Sequence, residues 1–214
     1  MSRLMVIYGA GGHGRVVLDI LRSLSDVVVV GFLDSDKSLH GSIVDGLPVV
    51  GGIDQVPTLL LEYPGISAVV AIGDNQARRE VAEELRKRHM PLTNAIHPRA
   101  FVSPSAVVGT NVTVAAGAII CAHAKIGDDV IINTGAIVEH DNCIGNAVHI
   151  APGAKLAGRV TVGEYAFIGI GATVVGNLNI GRSAVVGAGA VVLHDVEPFS
   201  VVAGIPAKPI RKSS

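Results

Sequence analysis

The sequence predicts an α/β half-domain over residues 1–95, followed by an all-β hexapeptide solenoid over residues 96–214. Two observations carry this. The first segment alternates short apolar runs with amphipathic stretches, the pattern of a parallel sheet covered by helices. The second places an aliphatic residue at every sixth position from Ile96 to Val192, seventeen times without exception. A period of six fits neither a helix, at about 3.6, nor a lone strand, at about 2. It marks repeating units of one short strand plus one turn.

The first segment opens with an apolar run at residues 4–8, followed by Gly9-Ala10-Gly11-Gly12-His13-Gly14. Val16, Val17, Ile20, Leu21 and Leu24 then fall on helical spacing. A second apolar run, Val27–Leu33, ends at Asp34, and a third, at residues 68–72, ends at Gly73. Asp74 or Asn75 then caps a helix through about His89, with Val81, Ala82 and Leu85 inward. Residues 35–62 are weakly patterned and yield only a short strand near residues 48–50. Asp34 stands twenty residues after Gly14, which completes a Rossmann-like dinucleotide fingerprint. The glycines allow close phosphate approach, and N–H groups at the helix start can hold a pyrophosphate. Taken alone this suggests an NAD enzyme. However, 95 residues supply only one mononucleotide-binding half, and no domain for hydride transfer follows.

In the second segment, the slot four residues after each aliphatic is also small or apolar, from Ala100 to Val196. Asn142 is its sole polar occupant. Three hexapeptides close one triangular coil, so residues eighteen apart are stacked neighbours. At ~4.8 Å per stacked strand, five to six coils make a prism roughly 27 Å tall. Residues 199–214 leave the repeat and read as a cap over the last layer.

Composition excludes several classes. Charged residues are 16% and net charge is −1, so no basic footprint suggests nucleic acid. No apolar run approaches the roughly 20 residues of a membrane span. The N-terminus runs straight into a strand without a signal-peptide cleavage site, and two cysteines make no disulfide framework. A cytoplasmic protein is expected.

The hexapeptide coils, the terminal Gly204-Ile205-Pro206-Ala207-Lys208 and the Gly-x-Gly-x-x-Gly opening together resemble one family over nearly the whole chain. It comprises the bacterial nucleotide-sugar N-acyltransferases of the PglD/NeuD type. The most specific match is the block at residues 137–158. The resemblance implies a left-handed parallel β-helix, a homotrimer, and acetyl-CoA lying between neighbouring prisms. It also implies a nucleotide-linked amino sugar held by the N-terminal domain.

Acyl transfer to an amine needs a base, an oxyanion donor and two substrates held in contact. His140, in a turn position, is the candidate base. Its stacked neighbours, Ala122 and Gly158, are tiny, which suggests room for a ligand beside the imidazole. By resemblance, the Gly158 N–H is the oxyanion donor. Asp141 stacks on His123 and can orient an imidazole as a triad carboxylate does. The family often has Glu at this position, and the shorter Asp has less reach to His140. Asn142, buried by its slot, must be hydrogen-bonded and is expected to pin the turn carrying His140. His149 matches a second family histidine, implied to contact acetyl-CoA. Ile170 and Ala188 match positions whose backbones meet the pantetheine. Lys208 and Arg211 are candidates for the CoA phosphates. For the nucleotide sugar, the family reading implies Gly11, Gly12 and His13 at the diphosphate and sugar, Asp34 and Ser35 at the nucleoside, and Gly73 lining the site.

The leading expectation is an acetyl-CoA-dependent N-acetyltransferase acting on a nucleotide-linked 4-amino-deoxy sugar, with no metal. Sugar O-acetylation of the sialic-acid type is the alternative within this fold, and a non-catalytic nucleotide-sugar-binding trimer the alternative outside catalysis. Zinc chemistry of the γ-class carbonic anhydrase kind uses a histidine pair five residues apart. His140 and His149 are nine apart, and no pair in the prism is five apart.

Overall fold

The computed structural model describes residues 2–212, with side chains up to residue 210. The chain divides into two compact units, Met1–Pro98 and Arg99–Ser214.

The first unit runs β1 (Arg3–Tyr8), α1 (Gly12–Arg22), β2 (Val27–Leu33), β3 (Ile43–Val44), β4 (Leu47–Gly51), α2 (Val56–Glu62), β5 (Ser67–Val70) and α3 (Asn75–Lys87). The sheet order is β3-β4-β2-β1-β5. β4, β2, β1 and β5 are parallel, and β3 pairs antiparallel with β4. Val6, Tyr8, Leu33, Ile66, Ala68 and Leu85 share its core. The inward stripe of α1 runs through Gly14, Val17, Leu18 and Leu21. Val16, expected on that stripe, falls off it and is exposed. The Asp74 side chain caps α3 by accepting the Ala77 N–H at 2.8 Å. α3 ends two residues before the expected His89, whose φ of 60° is a left-handed helix stop.

Residues 35–62 hold more structure than their pattern suggests. β3 and β4 form a hairpin around Asp45-Gly46, with φ of 46° and 81°, the pair of positive values a two-residue hairpin turn requires. α2 is only seven residues long, with proline in its first turn, too short for a helical stripe to register.

The second unit is the expected left-handed parallel β-helix. Its strands are two residues long and pair in parallel with strands eighteen residues away. Val138 sits between Ile120 and Leu156, Cys143 beside Thr161, and Ile131 beside His149. From Val114 to Val192 every aliphatic of the six-residue series is buried. From Asn111 to Gly189 every sixth residue has a positive φ, between 54° and 70°. These left-handed residues form the three corners. One corner is all glycine, at 117, 135, 153, 171 and 189. The other two include Ala147, Arg159 and Tyr165, which do not favour this conformation alone. The coil imposes it, because hydrogen bonds on both sides of each turn determine its path. The tail adds Ser200–Ala203 in parallel beside Val185–Val186, then folds back as Lys208–Lys212.

Candidate active site

His140 occupies the corner between the faces that carry Ile137–Val138 and Cys143–Ile144. Its Nδ1 lies 2.8 Å from Asp141 Oδ2, and both side chains are about half exposed, at 49% and 47%. Direct contact corrects the concern over the shorter carboxylate. With φ of 60°, Asp141 turns its side chain back along the imidazole, so short reach suffices. The ionised carboxylate can only accept, so Nδ1 carries a proton, and in the neutral ring Nε2 is left with its lone pair. The hydrogen bond from His140 holds the Asp141 carboxyl below the usual carboxylate range. Burial opposes this, and the charges of His140, His123 and Arg159 each add a lesser pull downward. The sequence placed His123 beside Asp141 by stacking. Arg159, eighteen residues beyond Asp141, was overlooked although the same arithmetic points to it.

The imidazole rests on Gly158. A Cβ there would lie 2.6 Å from both Cε1 and Nε2 of His140. The gap at Gly158 is therefore filled by the ring itself, which corrects the expectation of ligand space on that side. The Gly158 carbonyl accepts from Asn177, while its N–H bonds to none of the described residues. That N–H is a donor beside the imidazole.

Asn142 is fully buried and satisfied. Its amide donates to the Glu139 carbonyl at 2.8 Å and the Ala157 carbonyl at 3.1 Å, and its oxygen accepts the Val160 N–H at 2.6 Å. Glu139 and Ala157 also line a mostly apolar groove of about 320 Å³ with Ile137, Lys155, Thr173 and Gly176. Cys121, stacked under Glu139, has its thiol pushed up by burial, then by the Glu139 charge and hydrogen bond.

His149 lies on the third face, which does not border the His140 corner. Its Nε2 accepts from Asn133 Nδ2 at 3.1 Å, and Phe167 meets its ring edge-on at 5.1 Å. The Asn133 oxygen is engaged with the Thr134 N–H, which supports this amide orientation. Ile170 and Ala188 are exposed in the all-glycine corner adjoining the His149 face. Lys208 is exposed beside a cavity of about 250 Å³ that His194, Asp195 and Glu197 also line. The Arg211 side chain lies outside the described residues. Among the described residues, no three His, Cys, Asp or Glu side chains converge as metal ligands, and no helix is long and apolar enough to cross a membrane.

In the first unit the glycines separate into two kinds. A Cβ on Gly9 would lie 2.7 Å from the Ala71 carbonyl, and one on Gly14 would strike the Gly9 carbonyl. Packing explains both. A Cβ on Gly11, Gly12 or Gly73 would meet open space. Packing does not explain these, and their bare backbone leaves room for close approach. Gly11 caps α1 without a side-chain bond, so the helix start is open. The Asp34 carboxylate accepts the Ala10 N–H at 2.7 Å and the Asp36 N–H at 2.9 Å, tying the glycine turn to the end of β2. Ser35 beside it is exposed. Burial, and then the Arg78 charge, push His13 down to about 4. Its Nε2 is buried and has no hydrogen-bond partner among the described residues.

The comparisons with known proteins follow this division. Residues 5–85 match the family model of the PglD N-terminal domain. Over 97% of both chains, the structure is similar to PerB from Caulobacter crescentus, solved with CoA and GDP-perosamine, at 44% identity and a TM-score of 0.90. The chain belongs to the PglD/NeuD-type nucleotide-sugar N-acyltransferases. It is also similar to the acetyltransferase domain of PglB from Neisseria gonorrhoeae FA1090, solved with acetyl coenzyme A. There the identity is 37%, over 98% of this chain and 100% of that one, with a TM-score of 0.90. A UDP-N-acetylbacillosamine N-acetyltransferase of Bacillus subtilis (strain 168) is 39% identical over 114 residues, which span 52% of this chain and 51% of that protein.

One residue of this family member escaped the sequence reading. Arg78 is fully buried, and its guanidinium reaches the carbonyls of Ile72 at 3.0 Å and Gly73 at 3.2 Å, and Asn75 Oδ1 at 2.8 Å. It shapes the Gly73 turn. The available signal was a charged residue on the inward stripe of α3, one turn before Val81 and Ala82.

Proposed function

We propose that this chain transfers an acetyl group from acetyl-CoA to the amine of a nucleotide-linked 4-amino-deoxy sugar. One observation carries the reading: an imidazole with Nδ1 held by a carboxylate at 2.8 Å, at an exposed corner beside the unpaired Gly158 N–H. The sugar amine attacks the thioester carbonyl carbon, and His140 Nε2 takes the proton that nitrogen loses. The Asp141 carboxylate keeps the tautomer and stabilises the imidazolium. The Gly158 N–H meets the oxygen as charge develops on it. Collapse breaks the carbon–sulfur bond, and the imidazolium returns its proton to the departing CoA thiolate. The open helix start at Gly11 and Gly12, with His13, takes the diphosphate and sugar. Asp34 and Ser35 meet the nucleoside, and Gly73 lines the site.

A homotrimer fits the geometry. Ile170, Ala188 and His149 lie on one side of the prism, away from the His140 corner. A single prism therefore does not present both sides to one acetyl-CoA, and a neighbouring copy supplies the second side. Lys208 serves the CoA phosphates at the prism end. A cytoplasmic setting agrees with the free Cys121 and Cys143.

Thiol release from acetyl-CoA, followed across a panel of UDP-, GDP- and dTDP-linked amino sugars, tests the reading. GDP-perosamine is the first acceptor to try, because the 44% identical relative was solved with it. One member of the panel should support turnover, and His140→Ala should lower kcat on the order of 1,000-fold. Turnover confined to hydroxyl acceptors would favour O-acetylation. Tight nucleotide-sugar binding without thiol release from any acceptor would overturn the enzyme reading.

A further inference from the structure

Where the small slot holds alanine, from Ala106 to Ala190, the turns of the prism close on themselves. The residue in the small slot donates its own N–H to the carbonyl three residues back, as Ala118 does to Ala115, Ala124 to Cys121, Ala136 to Asn133 and Ala154 to Ala151. At the His140 corner, two successive turns close differently. The Glu139 carbonyl, the Ala157 carbonyl and the Val160 N–H all bond to the side-chain amide of Asn142. Glu139 immediately precedes His140, and Ala157 immediately precedes Gly158. One buried amide thus replaces backbone closure in the turn that carries the imidazole and in the turn that carries its glycine shelf.

We propose that Asn142 is a positioning residue: its amide holds the His140 turn and the Gly158 turn at one fixed spacing, which sets the imidazole on its shelf beside the Gly158 N–H. The role deepens, and rests on, the acetyl-transfer reading above. Stability alone does not call for an amide here. Every other slot in the series is filled by Ala, Val or Leu, and those coils pair with the same register. The amide instead couples two backbone segments that the reaction needs at a defined separation. Both its hydrogens and its oxygen are engaged, so it cannot turn without losing bonds. Removing it leaves two part-buried carbonyls and one buried N–H to find new partners. Closing each turn through its own backbone meets that need, and it draws each turn toward the shape of the alanine-slot turns. The fold then survives, while His140 moves relative to Gly158.

The isosteric pair Asn142→Val and Asn142→Thr separates these effects, because both fit the slot and only Thr keeps a donor and an acceptor. The full chain is assayed for kcat, KM and thermal midpoint. The Cε1–H resonance of His140 is followed by NMR in ¹³C-histidine-labelled protein, assigned by its loss in His140→Ala. Asn142→Val should fold, lose kcat on the order of 100-fold and shift the His140 resonance, with KM for acetyl-CoA nearly unchanged. Asn142→Thr should recover about tenfold of that loss and move the resonance back toward its original position. A kcat for Asn142→Val within about twofold of the unmodified chain, with the His140 resonance unmoved, would overturn the role. If the unmodified chain releases no thiol with any acceptor, the functional reading fails separately. The resonance then decides alone: movement on Asn142→Val supports the coupling, and no movement overturns it.

Discussion

Two corners of the prism are built from the same turn and filled in opposite ways. At one, Thr110, Asp128, Asn146, Glu164 and Arg182 stack eighteen apart and bond in series. Asp128 accepts the Thr110 N–H at 2.8 Å, Asn146 accepts the Asp128 N–H at 2.8 Å, and Glu164 joins Asn146 at 3.1 Å and Arg182 at 3.0 Å. At the other, the corresponding column reads Ala122, His140, Gly158 and Gly176. There one imidazole stands among residues that have almost no side chain. The ladder corner satisfies its polar groups along the column. The His140 corner leaves an N–H and an imidazole nitrogen without such partners, and satisfies its backbone from inside through Asn142. The same coil serves as scaffold or as site according to whether the column bonds to itself.

Filling the shelf should break the contrast most sharply. Gly158→Ala places a methyl group where the imidazole lies, and backbone on both sides prevents the coil from yielding. Displacement of about 1 Å should cost kcat on the order of 100-fold while the thermal midpoint changes little. Steady-state kinetics beside a melting curve checks this, and an unchanged kcat would mean that the ring does not need its shelf.

A second comparison sets His140 against His13, one open to solvent and the other enclosed. His13 has its folded-state value lowered to about 4 from an ordinary 6.5. The unfolded chain therefore binds more protons between those values, and the enclosed neutral ring favours folding fully only above the upper one. Stability should fall as pH drops from 7 to 5, by at most about 2 kcal/mol from this group. Urea unfolding at the two pH values should show that loss, and His13→Gln should shrink it. An equal loss in both proteins would assign the pH dependence to other groups.

The ladder corner should give the smallest effect. Asp128→Ala removes the acceptor for the Thr110 N–H at an exposed turn, which should cost about 1 kcal/mol in urea unfolding without altering kcat. A fall in kcat there would show that the two corners are not independent.

The sequence made the prism legible because its signal is spatial: a residue and its neighbour eighteen positions on share one environment. That arithmetic set Asp141 beside His123 and marked Asn142 as the polar exception. It did not reveal the contact between Asp141 and His140, because that depends on a left-handed backbone at an Asp. Asp is no sure marker of that conformation, since the coil imposes it on Ala147 and Tyr165 as well. Nor did it reveal that the shelf at Gly158 is filled by the imidazole, because side-chain direction is not encoded in spacing. In the first unit, Asp45-Gly46 announced a hairpin that weak flanking patterns concealed. Arg78 was overlooked because a charge on an apolar stripe reads as noise until carbonyls are found around it.

The eighteen-residue register also governs which changes in chain length the prism can absorb. Inserting or deleting a whole coil returns every later residue to its own corner, and the molecule merely becomes taller or shorter. Inserting six residues keeps every strand and every buried aliphatic, yet carries all that follows one corner around. Placed between His140 and Ile170, such an insertion would shift Ile170 and Ala188 to a corner that is not all glycine below them. The fold would read the new chain as correct, and the two halves of the proposed site would no longer agree on where they meet.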